Sequence, residues 1–315
     1  MYTVDFETTA CFLLENDNYL VVCHACPDGD TVGSAAALVM LLRKKGKTAW
    51  AYCPDTIPEK LLSFAGKDIF VCDLPSYSTC ISVDVATPAM LGKDKDTFGV
   101  FDLSIDHHKV NTIPCERLLL KDNFISNSEI IASLYDQLSV GIDYTAAVSL
   151  YAGISSDSGG FRYSNTRPET MRLAARLMET GIDFAAINRA LFDQMTPAVL
   201  ALMKAAYESV ELFYDGKLAV VTISEEAYIK SGADDTDFDE IKSIPRRICG
   251  VEVSAMIRPK DGKSQVSMRS NEYFNVAEFC RGMGGGGHER AAAFRIAATP
   301  DEAKNILVKA LEGKI

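Results

Sequence analysis

The first half of the chain alternates short apolar runs with longer stretches that are typical of helices. Four apolar runs have the length and continuity of strands buried in a parallel sheet: residues 18–23, 48–53, 80–84 and 99–106. Three longer segments predict helices: residues 31–45, 128–138 and 145–154. Because strands and helices alternate, this half predicts an α/β fold built on a doubly wound, mostly parallel sheet.

The pattern changes in the second half. Residues 167–207 are mostly helical in character, with breaks at Gly181 and Pro197. Beyond residue 208 the chain predicts a smaller α+β unit. Its elements are a strand at 217–223, a half-buried strand in the alternating segment 251–257, a turn at Asp261-Gly262, a return strand at 263–269, and helices at 274–281 and 300–311. We therefore expect a domain over 1–187, a helical linker over 188–207 and a second domain over 208–315.

The composition is that of an ordinary globular protein, with 48% hydrophobic and 24% charged residues. No apolar run approaches the roughly eighteen residues of a membrane span, and the N-terminal segment lacks the basic start of a signal peptide. The nine cysteines are scattered, and the CxxC pair Cys23 and Cys26 has no second pair to complete a zinc site. We therefore expect buried reduced thiols, a cytoplasmic location and no membrane partner.

The net charge of -11 argues against a protein that grips long duplex nucleic acid, because neutralising many phosphates requires a broad basic surface. A small anionic substrate held by a few cations stays open. Residues 246–295 hold nine basic and five acidic side chains. This segment predicts a local basic surface on an acidic protein, with ordinary solvated charge as the alternative for any single Lys or Arg.

Carboxylates and imidazoles stand where the predicted strands and helices end. They are His24, Asp28 and Asp30 after the first strand, Asp84 and Asp106-His107-His108 at two further strand ends, and Asp157 after a helical run. Each alone is readily explained as a cap or turn, but a doubly wound sheet binds its ligands beyond the carboxyl ends of its strands. Hard oxygens with imidazole suit Mn²⁺ or Mg²⁺ better than a thiolate-rich zinc site does.

A glycine run, Gly284 to Gly287, precedes the remaining histidine, His288. Four glycines expose backbone N–H groups without obstruction by side chains. We expect this loop to open a helix over 288–294 and so to form an anion cradle, with a flexible linker as the alternative.

These motifs, in this order and spacing, resemble the four motifs of the DHH phosphoesterase superfamily. The glycine run with its histidine resembles the motif of the DHH-associated C-terminal domain. The likeness covers nearly the whole chain and is to the nano-RNase type of oligoribonuclease. It implies two metal sites, one formed by His24, Asp28 and Asp84, and the other formed by Asp30, Asp84, His107 and Asp157.

The resemblance also assigns roles to residues around the metals. Asp84 would bridge the two ions, Asp106 would orient the histidines, and His108 would face the substrate phosphate. The substrate end would be held by residues of the second domain: Ser267, Arg269, Gly285, Gly286, Gly287 and His288. An active-site cleft would lie between the two domains.

The implied cofactor is Mn²⁺, two ions per chain, with Mg²⁺ or Co²⁺ as substitutes. The expected reaction is hydrolysis of short oligonucleotides, nano-RNA and dinucleotides, to mononucleotides. Some relatives of this type also remove a phosphate from 3'-phosphoadenosine 5'-phosphate. A dedicated phosphodiesterase for linear products of cyclic dinucleotides and a catalytically silent nucleotide sensor stay open, as does assembly into a homodimer.

Overall fold

The structure, a computed structural model, describes residues 1–234 and 237–315, apart from the side chains of Asp239, Glu240 and His288. The chain divides into two compact units, residues 1–194 and residues 195–315. The predicted limits of the two domains, at residues 187 and 208, stay predictions.

Six strands of the first unit form one sheet in which every neighbouring pair is parallel. They are Tyr2–Thr3 (β1), Tyr19–Val22 (β2), Ala49–Tyr52 (β3), Thr79–Val83 (β4), Phe101–Asp106 (β5) and Cys115–Leu120 (β6). Their order across the sheet is β1-β6-β5-β4-β2-β3. The doubly wound parallel sheet and its four predicted strands are therefore confirmed, while β1 and β6 had not been predicted.

Helices surround this sheet. They are Phe6–Glu15 (α1), Gly29–Lys44 (α2), Glu59–Ala65 (α3), Asn127–Gln137 (α4), Tyr144–Asp157 (α5), Pro168–Met178 (α6) and Phe184–Asn188 (α7). A 3-10 helix at Pro88–Asp94 and a π-helical turn at Arg189–Asp193 complete the unit. The core lies between one sheet face, with Val21, Ile81 and Leu103, and the apolar sides of α2, α4 and α5.

The strand order reverses at β2, which pairs with β3 on one side and with β4 on the other. In open α/β sheets this reversal leaves a crevice beyond the carboxyl ends of the strands. The chain leaves β2 at Cys23 and His24, and it leaves β4 at Asp84. The reversal thus positions these two segments beside each other.

Helices α2 and α5 approach each other more closely than side chains would allow. A Cβ atom on Gly33 of α2 would lie 2.3 Å from the carbonyl oxygen of Ser149 on α5. On the α5 side, a Cβ atom on Gly153 would lie 2.0 Å from Oγ of Ser128 on α4 and 2.8 Å from Oδ1 of Asp30 on α2. Glycine is required at both contacts because a methyl group would force the helices apart. Asp30 near the start of α2 is thereby brought close to Asp157, the last residue of α5.

The second unit has a six-stranded sheet of its own. Its strands are Glu211–Phe213 (β7), Leu218–Thr222 (β8), Val253–Lys260 (β9), Lys263–Ser270 (β10), Gly286–His288 (β11) and Ala291–Ile296 (β12). The order is β11-β12-β10-β9-β8-β7, with β8 and β9 parallel and the other pairs antiparallel. The helices are Pro197–Glu208 (α8), Glu225–Ser231 (α9), Phe238–Ile241 (α10), Val276–Gly282 (α11) and Pro300–Leu311 (α12), with a 3-10 turn at Pro245–Arg247.

The hairpin predicted at Asp261-Gly262 is confirmed, with φ angles of 52° and 71° that are typical of a tight two-residue turn. The prediction that the strand before it is half-buried is wrong. Residues 253–258 of β9 are all buried. One sheet face packs in the cluster that includes Ile257 and Leu307, and the other packs in the cluster that includes Met256 and Phe238.

The predicted helix over 288–294 is wrong, because this segment forms the hairpin of β11 and β12. Six residues of β12 pair with β10, and these long-range hydrogen bonds override the helix propensity of its three alanines. The glycines serve the close approach of two strands. A Cβ atom on Gly285 would lie 2.2 Å from the carbonyl oxygen of Ala293, and a Cβ atom on Gly287 would lie 2.5 Å from the carbonyl oxygen of Ala291. The anion cradle at a helix start is therefore absent from the described residues.

No helix in the described part of the chain combines the length and apolar character needed to cross a bilayer. The nine cysteines form no disulfide.

Candidate metal centre

The first group of polar side chains lies at the reversal point of the parallel sheet. Nε2 of His24 lies 3.4 Å from Oδ2 of Asp84 and 3.8 Å from Oδ2 of Asp28. Nδ1 of the same ring lies 2.6 Å from the carbonyl oxygen of Ala25. Because a carbonyl can only accept, the proton is on Nδ1 and the lone pair of neutral His24 faces the carboxylates.

Asp28 has two functions in the local structure. Its Oδ1 caps α2 by accepting hydrogen bonds from the N–H groups of Asp30 and Thr31, at 3.0 and 2.9 Å. Its Oδ2 is left to face His24. The tight turn after β2 therefore holds one carboxylate oxygen in place while the other stays available as a ligand.

The second group gathers beside the first. Nε2 of His107 lies 3.4 Å from Oδ2 of Asp157 and 3.9 Å from Oδ2 of Asp30. Asp30 is fully buried, and its two oxygens accept hydrogen bonds from the N–H groups of Asn127 and Ser128, at 2.6 and 2.8 Å. These N–H groups belong to the first turn of α4, where the helix dipole favours a negative charge.

Asp84 lies between the two groups. One of its oxygens is 3.4 Å from His24 and the other is 3.4 Å from His107. Its backbone φ of 58° is in the left-handed region, and its N–H donates to the carbonyl of Ile105 on the neighbouring strand. This unusual backbone turns the side chain of Asp84 toward both histidines, as a ligand shared by two ions would need.

Asp106 organises the second histidine. Its Oδ1 accepts hydrogen bonds from Nδ1 of His108 at 2.7 Å and from the backbone N–H groups of His107 and His108. Its Oδ2 accepts from Nδ2 of Asn111 at 2.7 Å. The carboxylate of Asp106 is fully buried and points no oxygen at the two groups above. His108 is thereby oriented with Nε2 unused, and its side chain is 38% exposed.

Charge crowding changes the proton affinity of the whole cluster. Burial by itself would lower the pKa of His24 and His107, but the hydrogen bonds and charge of nearby carboxylates, Asp84 first, raise each pKa to about 9. Burial would raise the pKa of Asp84, yet hydrogen bonds from both histidines hold it well below its usual range. Burial and the charge of Asp84 raise the pKa of Asp30 to about 7, and burial with the charge of Asp30 raises that of Asp157.

The donor set fits divalent cations that prefer oxygen and imidazole. Two sets, His24 with Asp28 and Asp84, and Asp30 with His107 and Asp157, each offer ligand atoms within 4.8 Å of one another. Ligands at about 2.0–2.2 Å from an ion stand about 3–4 Å apart, which agrees with the separations of 3.4–3.9 Å found here. Asp84, His107 and His108 form a third such set. In it His108 offers Nδ1, the atom that already bonds to Asp106.

Sequence reasoning missed the groups that hold these ligands. The N–H groups of Asn127 and Ser128 could have been found, because Ser126 followed by Glu129 is a pattern of helix starts, and Ser126 does cap α4. Asn111 gave no local signal. Its contact with Asp106 depends on a loop that also places its amide against the carbonyl of Val85.

In the second unit, the predicted substrate residues fall on neighbouring rows of one sheet. Ala291 of β12 pairs with Arg269 of β10 on one side and with His288 of β11 on the other. Ala293 pairs in the same way with Ser267 and Gly286. Ser267 is buried, and Nη1 of Arg269 donates to the carbonyl of Met268. The side chain of His288 lies outside the described residues.

The predicted basic surface of residues 246–295 is wrong for Arg258. This side chain is 4% exposed, and its guanidinium lies 4.3 Å from the ring centroid of Phe238. Arg246 bonds to Asn271, and Arg295 forms an ion pair with Asp261. Part of the local charge excess therefore serves the fold of the second unit.

Comparison with known proteins agrees with this fold. Residues 18–154 match the DHH family, N-terminal domain, and residues 215–315 match the DHHA1 domain. The bifunctional oligoribonuclease and PAP phosphatase NrnA of Thermus thermophilus is 29% identical over 279 residues, covering 86% of this chain and 82% of that protein. The protein of the same name from Bacillus subtilis is 27% identical over 300 residues, covering 92% of this chain and 93% of that protein.

The crystal structure of an exopolyphosphatase-related protein from Bacteroides fragilis superposes with a TM-score of 0.87 at 24% identity, covering 98% of this chain and 95% of that chain. The segment that matches the DHH family holds the parallel strands β2 to β6 and every residue of the two groups of carboxylates and imidazoles except Asp157. The chain belongs to the DHH superfamily and carries its N-terminal domain together with a DHHA1 domain. The family resemblance read from the sequence is therefore confirmed.

Proposed function

We propose that this chain is a two-metal phosphodiesterase that degrades short oligonucleotides, nano-RNA and dinucleotides, to mononucleotides. The observation that carries the proposal is the pair of ligand groups joined by Asp84. A site with shared carboxylates is the usual basis of two-metal phosphoryl chemistry. The relatives named oligoribonuclease and PAP phosphatase support this substrate class, and they support removal of phosphate from 3'-phosphoadenosine 5'-phosphate as a second activity.

Each group of the site has a distinct role in this proposal. His24 and Asp28 hold the first cation, Asp30, His107 and Asp157 hold the second, and Asp84 contacts both. Mn²⁺ suits this donor set, and Mg²⁺ or Co²⁺ can take its place. When bound, the two cations stabilise the charge of the phosphate and lower the pKa of a water molecule.

His108 acts on the substrate in this proposal. Its hydrogen bond to Asp106 raises its pKa, so the ring carries a positive charge over more of the neutral range. Nδ1 is held by Asp106, and Nε2 is left to donate a hydrogen bond to a phosphate oxygen. Asp106 is a positioning residue for this contact, since its oxygens bond to His108, to backbone N–H groups and to Asn111.

Residues of the second unit hold the substrate end in this proposal. Arg269 offers a planar fork of donors for a phosphate, and β11, at the edge of the sheet, offers those of its glycine N–H groups that face away from β12. Ser267 lies in one row of the sheet with Gly286, and His288 lies in another row with Arg269. The net charge of -11 is consistent with substrates that carry few phosphates.

The decisive experiment measures hydrolysis of a fluorescent dinucleotide and of a length series of single strands. We expect activity with Mn²⁺, none in excess EDTA, and a steep fall between dinucleotides and oligomers of about ten nucleotides. Asp84→Asn should abolish turnover and keep the fold, because asparagine tolerates the left-handed backbone found at this position.

The matched control is Asp96→Asn, which removes an exposed carboxylate of the same unit. It should leave turnover unchanged. Dinucleotide hydrolysis at the wild-type rate by Asp84→Asn, or full activity after metal removal, would refute the two-metal site. A chain that binds dinucleotides without turnover under all metals would instead be a nucleotide sensor.

A further inference from the structure

Three cysteines lie around the first metal ligand, and the proposed reaction uses none of them. Cys23 precedes His24 directly, Cys26 follows two residues later, and Cys53 follows strand β3. Among the described residues, no cysteine joins any group of side chains able to hold a metal ion. The thiols therefore have chemistry available that is separate from the carboxylate and imidazole site.

Cys23 and Cys53 are neighbours across two parallel strands. Val22 pairs with Tyr52 at the ends of these strands, so Cys23 and Cys53, the residues that follow, lie opposite each other. The N–H of Cys23 donates to the carbonyl of Tyr52 at 3.0 Å, which continues the pairing. Adjacent strands are about 4.8 Å apart, which lies within the Cα separations of about 4.4–6.8 Å that disulfides span. The two side chains pack against the same core.

The two thiols differ in their access to solvent. Cys23 is fully buried, whereas Cys53 is partly exposed. Sγ of Cys53 also lies 3.4 Å from the backbone carbonyl oxygen of His24. A small oxidant can reach Cys53 first, and the buried partner lies beside it at the end of the neighbouring strand. Any change at Cys53 acts directly on the backbone of a metal ligand.

We propose that Cys23 and Cys53 are a reversible oxidation site for a hydroperoxide, and that their disulfide weakens cation binding at His24. The sulfur of Cys53 attacks one oxygen of hydrogen peroxide, the O–O bond breaks, and water leaves with the thiol proton. The sulfur of Cys23 then attacks the sulfur of Cys53, the S–O bond breaks, and hydroxide leaves with the proton of Cys23 as a second water. Two thiols lose two electrons, and one peroxide becomes two waters.

The disulfide changes the site through geometry. It draws the two sulfurs to a bond length of about 2.05 Å and removes the contact of Cys53 with the carbonyl of His24. His24 is the next residue after Cys23 in the chain, so its backbone moves with the bridge. This consequence rests on the proposed metal site, whereas formation of the bridge does not.

The test treats metal-free, fully reduced protein with hydrogen peroxide, removes the peroxide with catalase, and blocks the remaining thiols. Tryptic digestion places Cys53 in peptide 48–60 and Cys23 in peptide 1–43, so a bridge links the two peptides in mass spectrometry. Fragmentation between Cys11 and Cys23, and between Cys23 and Cys26, identifies which cysteine of peptide 1–43 is the partner. The Kd for Mn²⁺ is then measured with and without dithiothreitol.

We expect the linked peptides in the wild type, with a Kd for Mn²⁺ raised at least about tenfold and restored by dithiothreitol. Cys53→Ser should keep its Mn²⁺ affinity through the treatment. Cys26→Ser, which alters an exposed thiol of the same loop, is the matched control and should behave like the wild type.

Oxidation of exposed Cys11 or Cys249 without a bridge between Cys23 and Cys53 would overturn the proposal. So would a bridge to Cys26, or a correct bridge that leaves the Mn²⁺ affinity unchanged. If the reduced wild type binds no Mn²⁺, the proposed function fails by itself, and the peptide map still decides whether the thiol pair is an oxidation site.

Discussion

The close contact of α2 with α5 permits a sharp test of how the fold builds the metal site. In Gly33→Ala, the new methyl carbon would lie 2.3 Å from the carbonyl oxygen of Ser149 and 3.3 Å from the backbone nitrogen of Gly153. The first distance is roughly 1 Å short of ordinary contact, and the atom it meets belongs to a helix backbone that cannot rotate away. The two helices must therefore separate or slide.

Two effects of opposite sign decide the stability of this variant. Alanine favours a helix interior over glycine by about 0.5–1 kcal/mol. Overpacking of a dense core costs about 1–3 kcal/mol, and here it involves two backbones. We expect a net loss of about 1–2 kcal/mol, which for a unit of 194 residues lowers Tm by about 2–8 °C.

The effect on the site should exceed the effect on the fold. Asp30 lies three residues before Gly33 on α2, and Asp157 lies four residues after Gly153 on α5. A shift of about 1 Å between these two side chains is large enough to lower a catalytic rate by up to about 100-fold. Calorimetric unfolding in EDTA and titration with Mn²⁺ measure the two effects separately.

Gly99→Ala is the control, because a methyl group there meets no atom within 4 Å. It should change neither Tm nor Mn²⁺ affinity. A Gly33→Ala protein with wild-type Tm would refute the packing argument. One that is destabilised but binds Mn²⁺ normally would show that helix spacing does not control the ligand geometry.

Three further predictions concern the histidines, the second unit and Asn111. Since the pKa of His24 and of His107 is raised from 6.5 to about 9 in the metal-free protein, their stabilising effect is full below pH 6.5 and is lost as pH rises through 9. The metal-free protein should therefore have a lower free energy of unfolding as pH rises over this window. Mn²⁺ binding near pH 7.5 should release protons from both histidines and tighten with pH, as titration calorimetry in buffers of different ionisation enthalpy would detect. Arg269→Ala should raise KM for dinucleotides with metal content unchanged, and unchanged kinetics would mean that this arginine does not hold substrate. Asn111→Ala should cost about 1–3 kcal/mol of stability and lower kcat with little change in Mn²⁺ affinity, and an equal loss in both kinetics and metal binding would contradict a positioning role.

Local patterns were sufficient for much of the first unit. Apolar runs such as β2 and β4 are buried on both faces wherever they lie in a parallel sheet, so their continuity alone identifies them. The ends of these strands carry His24 and Asp84, and the general rule for doubly wound sheets places such residues at one edge. The family motifs then grouped these residues into two candidate ligand sets.

Tertiary structure decided what local patterns could not. The alanines of β12 favour a helix by themselves, but pairing with β10 makes them a strand, and no local signal reports a partner more than twenty residues away. Strand β9 alternates like a half-buried strand because alternation reports side-chain chemistry, whereas burial of both faces depends on helices that arrive from distant parts of the chain.

The same distinction applies inside the site. The sequence by itself predicted the carboxylates and imidazoles that the structure brings together, because they stand where strands and helices of a doubly wound sheet end. The N–H groups that bond to Asp30 belong to the first turn of α4; the sequence can predict this helix start, but only the tertiary structure places Asp30 against it. Likewise, glycine is required at position 33 only because α5 packs against it. Ligand chemistry is therefore a property of residues, while ligand geometry is a property of contacts between elements that are far apart in the chain.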